Sequence, residues 1–222
     1  MDLELISTKR CPFVQRSIIT LNHKGIDHRM TYVDLDDPPL WFLDLSPLGQ
    51  VPALRVDGES VIFESAVINE FLDEVTPGQL HPVDPLQRAI NKSWIEFGGS
   101  CCSLTFQIMV APDQEAYKDI ITQLAVNLGR VEQVLGDGPF FNGDKFALID
   151  AAYAPIFIRL DLFRDLLGIQ ISEDLPKIHA WQATLLDLPE VQQARVPELP
   201  DLFRQLITNR HSYAESQLTL PR

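Results

Sequence analysis

The sequence predicts two units in tandem, an α/β unit with a mixed sheet followed by an all-helical one. Three observations carry this expectation. Up to about residue 75, short alternating segments give way repeatedly to helical spacing. Residues 76–85 then hold three prolines and a glycine, the composition of a linker. Beyond it only helical patterns recur. The expected bounds are 1–78 for the first unit and 86–210 for the second.

Within the first unit, Leu3 and Leu5 alternate with polar residues, so residues 2–6 read as a strand. Val14, Ile18 and Leu21 share a helical face, and Pro12 suits the first helical position, where its missing N–H costs nothing. That helix spans 12–24, with Gly25 as its end signal. Residues 28–33 have strand composition, and the breaker at 36–39 precedes a short apolar group at 40–45. Asp57-Gly58 is a hairpin signal between strands at 53–56 and 59–63. Ser65 then caps a helix through about Glu74. A βαβ unit followed by ββα implies a mixed sheet covered by helices. In the second unit helices are expected at 86–110, 114–135, 148–167, 175–186 and about 199–209. Residues 212–222 lack helical periodicity and are expected to be loose.

Composition excludes some functions. The net charge is −13, with 18 basic and 31 acidic side chains. That disfavours nucleic-acid binding, which relies on basic surface, and attachment to anionic membranes. No apolar run approaches a membrane span. The opening MDLELISTKR lacks the basic and apolar regions of a secretory signal, so a cytoplasmic location is expected. Three cysteines, Cys11, Cys101 and Cys102, are too few for a disulfide framework. No metal is expected, because no histidine or second cysteine pair stands at ligand spacing.

Cys11 is the candidate nucleophile. It precedes Pro12 at a helix start, where free N–H groups and the helix dipole favour a thiolate. Lys9, Arg10 and Arg16 lie nearby in sequence, so the expected thiol pKa is low. The alternative is a buried, inert cysteine. Position 14 is valine, so a second thiol three residues on is absent, and an external thiol must complete any redox cycle. Val51-Pro52 precedes a strand; a cis bond there would leave the Val51 backbone free to pair with a ligand, although a trans loop proline is the commoner case. Ser65 at a helix start could bind a carboxylate through free N–H groups, and Glu64 could pair with an ammonium. Together they suit an α-amino acid; a plain cap is the alternative for Ser65.

These residues resemble a glutathione S-transferase. The resemblance rests on Cys11-Pro12-Phe13, on residues 49–54, on 63–68 and 71–74, and on the helix around Asp150. It covers about residues 2–205. It is strongest to the cysteine-type, omega-like enzymes and the plant dehydroascorbate reductases, through the Cys-Pro-Phe motif with Arg16 and through residues 39–43. It implies a thioredoxin-like N-terminal domain, an all-α C-terminal domain, and glutathione as co-substrate. Cys11 would be the catalytic nucleophile. Phe13, Val51, Pro52, Glu64 and Ser65 would bind glutathione, and Trp181 would line the acceptor site, with a core role as its alternative. Two departures stand out. Pro38 occupies the place of a lysine that omega-like enzymes direct at the glycyl carboxylate of glutathione. Ala147 replaces the hydroxyl of a capping box, leaving Asp150 as a folding residue.

The implied activity is thiol transfer: deglutathionylation, or disulfide or dehydroascorbate reduction, on small electrophilic or disulfide substrates. The alternative is a non-enzymatic protein of the same fold, either a stress regulator that binds RNA polymerase or a chloride intracellular channel-like protein. The family's usual assembly is a two-fold dimer. Residues 93–109 carry Trp94, Ile95, Phe97, Cys101, Cys102, Leu104 and Phe106 among small residues, a surplus of apolar surface for one helix. A homodimer of about 50 kDa, twice the 25.1 kDa chain, is therefore expected, with a helix buried on all sides within its own domain as the alternative.

Overall fold

The computed structural model describes residues 1–219. It begins with β1 (Leu3–Ser7), α1 (Pro12–His23), β2 (Arg29–Tyr32), α2 (Leu40–Leu45), β3 (Ala53–Val56), β4 (Ser60–Phe63) and α3 (Ser65–Val75). The four strands form one sheet in the order β2-β1-β3-β4, with β1 and β2 parallel and the other pairs antiparallel. Alternation in β1 sorts its side chains between two cores. Leu3 and Leu5 meet Val14 and Leu21 of α1 and Ile68 and Leu72 of α3. Ile6 meets Phe42 of α2 on the opposite face. Asp57 and Gly58 both take positive φ, 52° and 78°, which lets the two-residue turn follow the twist of β3 and β4.

The helical region comprises α4 (Pro85–Val110), α5 (Gln114–Val134), α6 (Leu148–Leu167), α7 (Pro176–Asp187), α8 (Pro189–Gln193) and α9 (Leu199–Asn209). The largest core cluster centres on α6, whose residues 148–160 are all buried. Gly98 of α4 lies against the Tyr153 ring, and a Cβ at that position would come within 2.8 Å of it. A side chain there would push α4 off α6.

Two features differ from expectation. The short α8 was not legible, because five residues give too little periodicity to read. The chain after α9 is also ordered through Thr219. Residues Tyr213–Gln217 form a 3₁₀ turn, Tyr213 N–H donates to the Ala111 carbonyl, Thr219 N–H donates to the Leu166 carbonyl, and Ala214 is buried. Long-range contacts, not local periodicity, fix this segment. The expectation for 220–222 lies outside the described residues. Among the described residues, no helix is long and apolar enough to cross a membrane.

The surplus apolar face expected on residues 93–109 is smaller than the sequence implied. Ile95, Cys101, Cys102 and Leu104 are buried in the chain's own core, while Trp94 and Phe97 are half-buried.

Candidate active site

Cys11 caps the N-terminus of α1, with Pro12 as the first helical residue. Its side chain is half-buried, and its Sγ–H donates to the Val51 carbonyl at 3.7 Å. The Val51-Pro52 bond is cis. Cys11 thus sits beside the loop that leads into β3.

The expected low thiol pKa is not what the surroundings give. Burial pushes the Cys11 thiol up from its ordinary value; the N–H of Val14, the Arg159 guanidinium and the N–H of Phe13 pull it back only in part. Two of the three cations expected to help, Lys9 and Arg16, are engaged elsewhere. Lys9 pairs with Glu198. Arg16 is buried, donates to the Ala152 carbonyl at 3.1 Å, and lies over the Phe13 ring. The cation that faces Cys11 is Arg159 of α6, which is 148 residues away in sequence and gave no local signal.

Phe13, Val51, Pro52, Glu64 and Ser65 converge on one cavity of about 160 Å³, together with residues of the 46–50 loop. The loop is folded on itself: Ser46 Oγ donates to the Gln50 carbonyl and accepts from Gln50 N–H. Glu64, and not Ser65, is the N-cap of α3, at φ 69°. A non-glycine residue in that region costs of order 1–3 kcal/mol and persists where its surroundings hold it. Ser65 is the first helical residue, and its N–H and the next two lie free at the helix start. The Glu64 carboxylate has no partner among the described residues. A cation-accepting carboxylate therefore stands beside an anion-accepting helix end. Among the described residues, no lysine or arginine lines this cavity.

The smaller cavity meets Cys11 only through Val51 and Phe13, whereas a second cavity of about 500 Å³ has Cys11 itself in its wall. Its walls include Phe13, Arg159, Phe106 of α4 and Phe203 of α9. Trp181 is not among them, which corrects its expected place. It is 1% exposed, and its ring lies against Phe141, Tyr153 and Phe157. Its Nε1–H donates to Asp150 Oδ1 at 2.7 Å. Asp150 also accepts from the N–H groups of Phe141 and Ala147, so half of the capping box survives without the hydroxyl. Burial lifts the Asp150 carboxyl to about 6, against those three donated bonds. Trp181 and Asp150 are one buried unit, and neither lines the cavity that holds Cys11. Cys101 and Cys102 are buried and unpaired, and burial pushes the Cys101 thiol up to about 12. Among the described residues, no group of three or more histidine, cysteine or acidic side chains is placed to hold a metal ion.

Two family models match in tandem: the glutathione S-transferase N-terminal domain over residues 10–75 and the C-terminal domain over residues 114–182. Glutathione S-transferase omega-2 of Rattus norvegicus is 32% identical over 194 residues, 85% of this chain and 77% of that protein. Glutathione S-transferase omega-1 of Sus scrofa is 29% identical over 200 residues, 87% of this chain and 80% of that one. The crystal structure of glutathione transferase Omega 3C from Trametes versicolor superposes with a TM-score of 0.77 at 27% identity, covering 88% of this chain and 89% of the other. With a thioredoxin-like sheet, a helical second half and these relatives, the chain belongs to the glutathione S-transferase family, among its omega-like members, and is an enzyme that uses glutathione.

Proposed function

We propose that the chain is a thiol transferase in which Cys11 is the nucleophile and the smaller cavity holds glutathione. The carrying observation is the position of Cys11. It starts a helix, lines the larger cavity, and touches the carbonyl of Val51, which with Phe13 lines the smaller cavity of amino-acid-binding character. In this reading Glu64 accepts the γ-glutamyl ammonium, and the free N–H groups at the start of α3, with Ser65, accept its carboxylate. Val51 pairs with the cysteinyl backbone. Phe13 and Pro52 form the walls, and residues 1–78 act as the glutathione-binding domain.

The reaction is an exchange. The Cys11 thiolate attacks the glutathione sulfur of a mixed disulfide. The bond between the two sulfurs breaks, the acceptor leaves as a thiolate and takes a proton from water. Cys11 is left joined to glutathione. A second glutathione thiolate attacks that disulfide, releasing oxidised glutathione and the Cys11 thiolate. The second glutathione supplies the two electrons that a resolving cysteine would otherwise give. The N–H groups of Val14 and Phe13 and the charge on Arg159 favour the thiolate as it forms. Binding at the smaller cavity supplies the orientation.

Mass spectrometry after incubation with oxidised glutathione tests this directly, with a single glutathione adduct on Cys11 as the expected result. Cys11→Ala should lose about a thousandfold or more in mixed-disulfide reduction while keeping its fold. An adduct on Cys101 or Cys102 alone, or variant activity within a few-fold of the parent, would overturn the mechanism. We also propose a homodimer, supported by the half-exposed Trp94 and Phe97 and the exposed Leu86 and Ile90 on α4. Sedimentation at micromolar concentration showing only a 25.1 kDa species would count against it.

A further inference from the structure

Arg159 favours the Cys11 thiolate as it forms, but while that thiol is protonated the arginine is left without a counter-ion among the described residues. It is 1% exposed, yet no carboxylate among the described residues pairs with it. Its bonds go to neutral acceptors. Nη1–H groups donate to Gln15 Oε1 at 2.6 Å and the Pro155 carbonyl at 2.8 Å, and an Nη2–H donates to the Arg10 carbonyl at 2.7 Å. The Phe203 ring lies 5.7 Å from its guanidinium carbon. One Nη2 hydrogen and the Nε hydrogen have no acceptor among the described residues. A buried, uncompensated charge is costly and is kept where something anionic meets it.

What meets it is the larger cavity, whose wall Arg159 shares with Cys11. Burial lowers the Arg159 pKa only to about 10, so it stays charged at neutral pH. The neighbouring thiol does not neutralise it at rest, since burial holds the Cys11 thiol above its ordinary value. Arg10 and Arg210 line the same cavity, and among the described residues Asp36 is the single carboxylate that does. This local excess of positive charge stands out in a chain of net charge −13. Long-range repulsion of an anion by the rest of the protein fades beyond about 8 Å at physiological salt, whereas a charge inside the cavity is screened much less.

We propose that the larger cavity selects an anionic acceptor, a thiol or disulfide bearing a carboxylate or comparable acid, and that Arg159 is its specificity-determining residue. The proposal rests on the thiol-transfer reading and adds the class of substrate. The leaving thiol of the mixed disulfide would enter this cavity as glutathione occupies the smaller one, with its acid group against the free N–H groups of Arg159 and the rim arginines.

Mixed disulfides of glutathione with 3-mercaptopropionate, 2-mercaptoethanol and cysteamine test it, since they differ mainly in a terminal negative, neutral or positive group. Each enzymatic rate is divided by the uncatalysed exchange rate, which removes the effect of leaving-thiol acidity. The expected kcat/KM order is anionic, then neutral, then cationic, with about a tenfold step, or about 1.4 kcal/mol, between the first two. Arg159→Gln should collapse that step, and Arg159→Lys should retain most of it. Because Arg159 also braces Arg10 and Gln15, the exposed rim variant Arg210→Gln serves as a milder check, with a smaller loss of preference. Binding of the same three disulfides to Cys11→Ala, measured by calorimetry, separates the two readings. No turnover by the parent enzyme, with the binding order preserved, defeats thiol transfer alone. Equal binding and equal normalised rates for all three overturn the anionic acceptor.

Discussion

The cavity that Cys11 lines and the smaller one beside Val51 are built in different ways. The smaller is made by contiguous segments of one sheet-containing unit: the 46–50 loop, the Val51-Pro52 turn and the start of α3. Much of what it offers is backbone, namely free N–H groups and carbonyls at turns. The larger is made by side chains from the Cys11 loop, α4, α6 and α9. It exists only once helices distant in sequence have packed. Backbone geometry encoded by short motifs suits an invariant co-substrate. Side chains contributed from separate helices can be changed one at a time, and that suits an acceptor that differs between enzymes of one fold.

The largest test of this contrast reaches neither cavity directly. Asp150 is the acceptor for three buried donors, the N–H groups of Phe141 and Ala147 and the Trp181 indole. Asp150→Ala orphans all three, at about 1–3 kcal/mol for each unmet buried donor. A loss of about 3 kcal/mol or more is expected, which lowers Tm by roughly 10 °C in a chain of this size. If α6 carries the larger cavity and the sheet carries the smaller, the surviving variant should show a raised acceptor KM with a nearly unchanged glutathione KM. Calorimetry and steady-state kinetics read both. Equal damage to the two KM values would mean that the cavities are not separable.

A perturbation of the smaller cavity should do the reverse. Glu64→Ala removes a charged acceptor placed beside the start of α3. A charge-assisted hydrogen bond is worth about 1.5–3 kcal/mol, so the glutathione KM should rise about tenfold to a hundredfold. The acceptor KM, measured at saturating glutathione, should stay within about twofold. An unchanged glutathione KM would remove Glu64 from the proposed site.

This contrast also explains what the sequence made legible. Val51, Pro52, Glu64 and Ser65 could be picked out because each stands at a local signal, a proline turn or a strand-to-helix junction, whereas Phe13 came with the family resemblance. Such signals depend on neighbours in the chain. Arg159 sits mid-helix in an apolar run, where one arginine reads as any other, and its role depends on Arg10 and Gln15 across the domain boundary. The segment 213–217 escaped for the same reason, being held by Ala111 and Leu166 at long range. The low thiol pKa failed differently. The helix start was read correctly, but burial is a tertiary property, and here it outweighs the helix N–H groups.

That reversal has a kinetic signature. A raised thiol pKa leaves little thiolate at neutral pH, so Cys11 alkylation by iodoacetamide should accelerate about tenfold per pH unit from about pH 7 to beyond the ordinary cysteine pKa of about 8.5. A thiol of low pKa would instead give a rate already level by pH 7. Arg159→Gln should shift the profile further upward, since the guanidinium is one of the groups that pull the thiol down. Peptide mapping keeps the signal specific to Cys11.

The smallest expected effect separates a core aromatic from a binding one. Trp181 was expected beside the acceptor, but its indole N–H is spent on Asp150 and its ring is enclosed by three aromatic side chains. Trp181→Phe keeps an aromatic ring but removes the bond to a buried carboxylate oxygen that still accepts from Phe141 N–H. The cost should fall on stability, about 2 kcal/mol from the lost charged hydrogen bond and reduced packing. The acceptor KM should stay within about twofold, because the ring does not line the larger cavity. A tenfold rise in acceptor KM with little change in Tm would reverse the assignment. Trp181 would then move into the acceptor site, and the claim that side chains around Arg159 define it would fail.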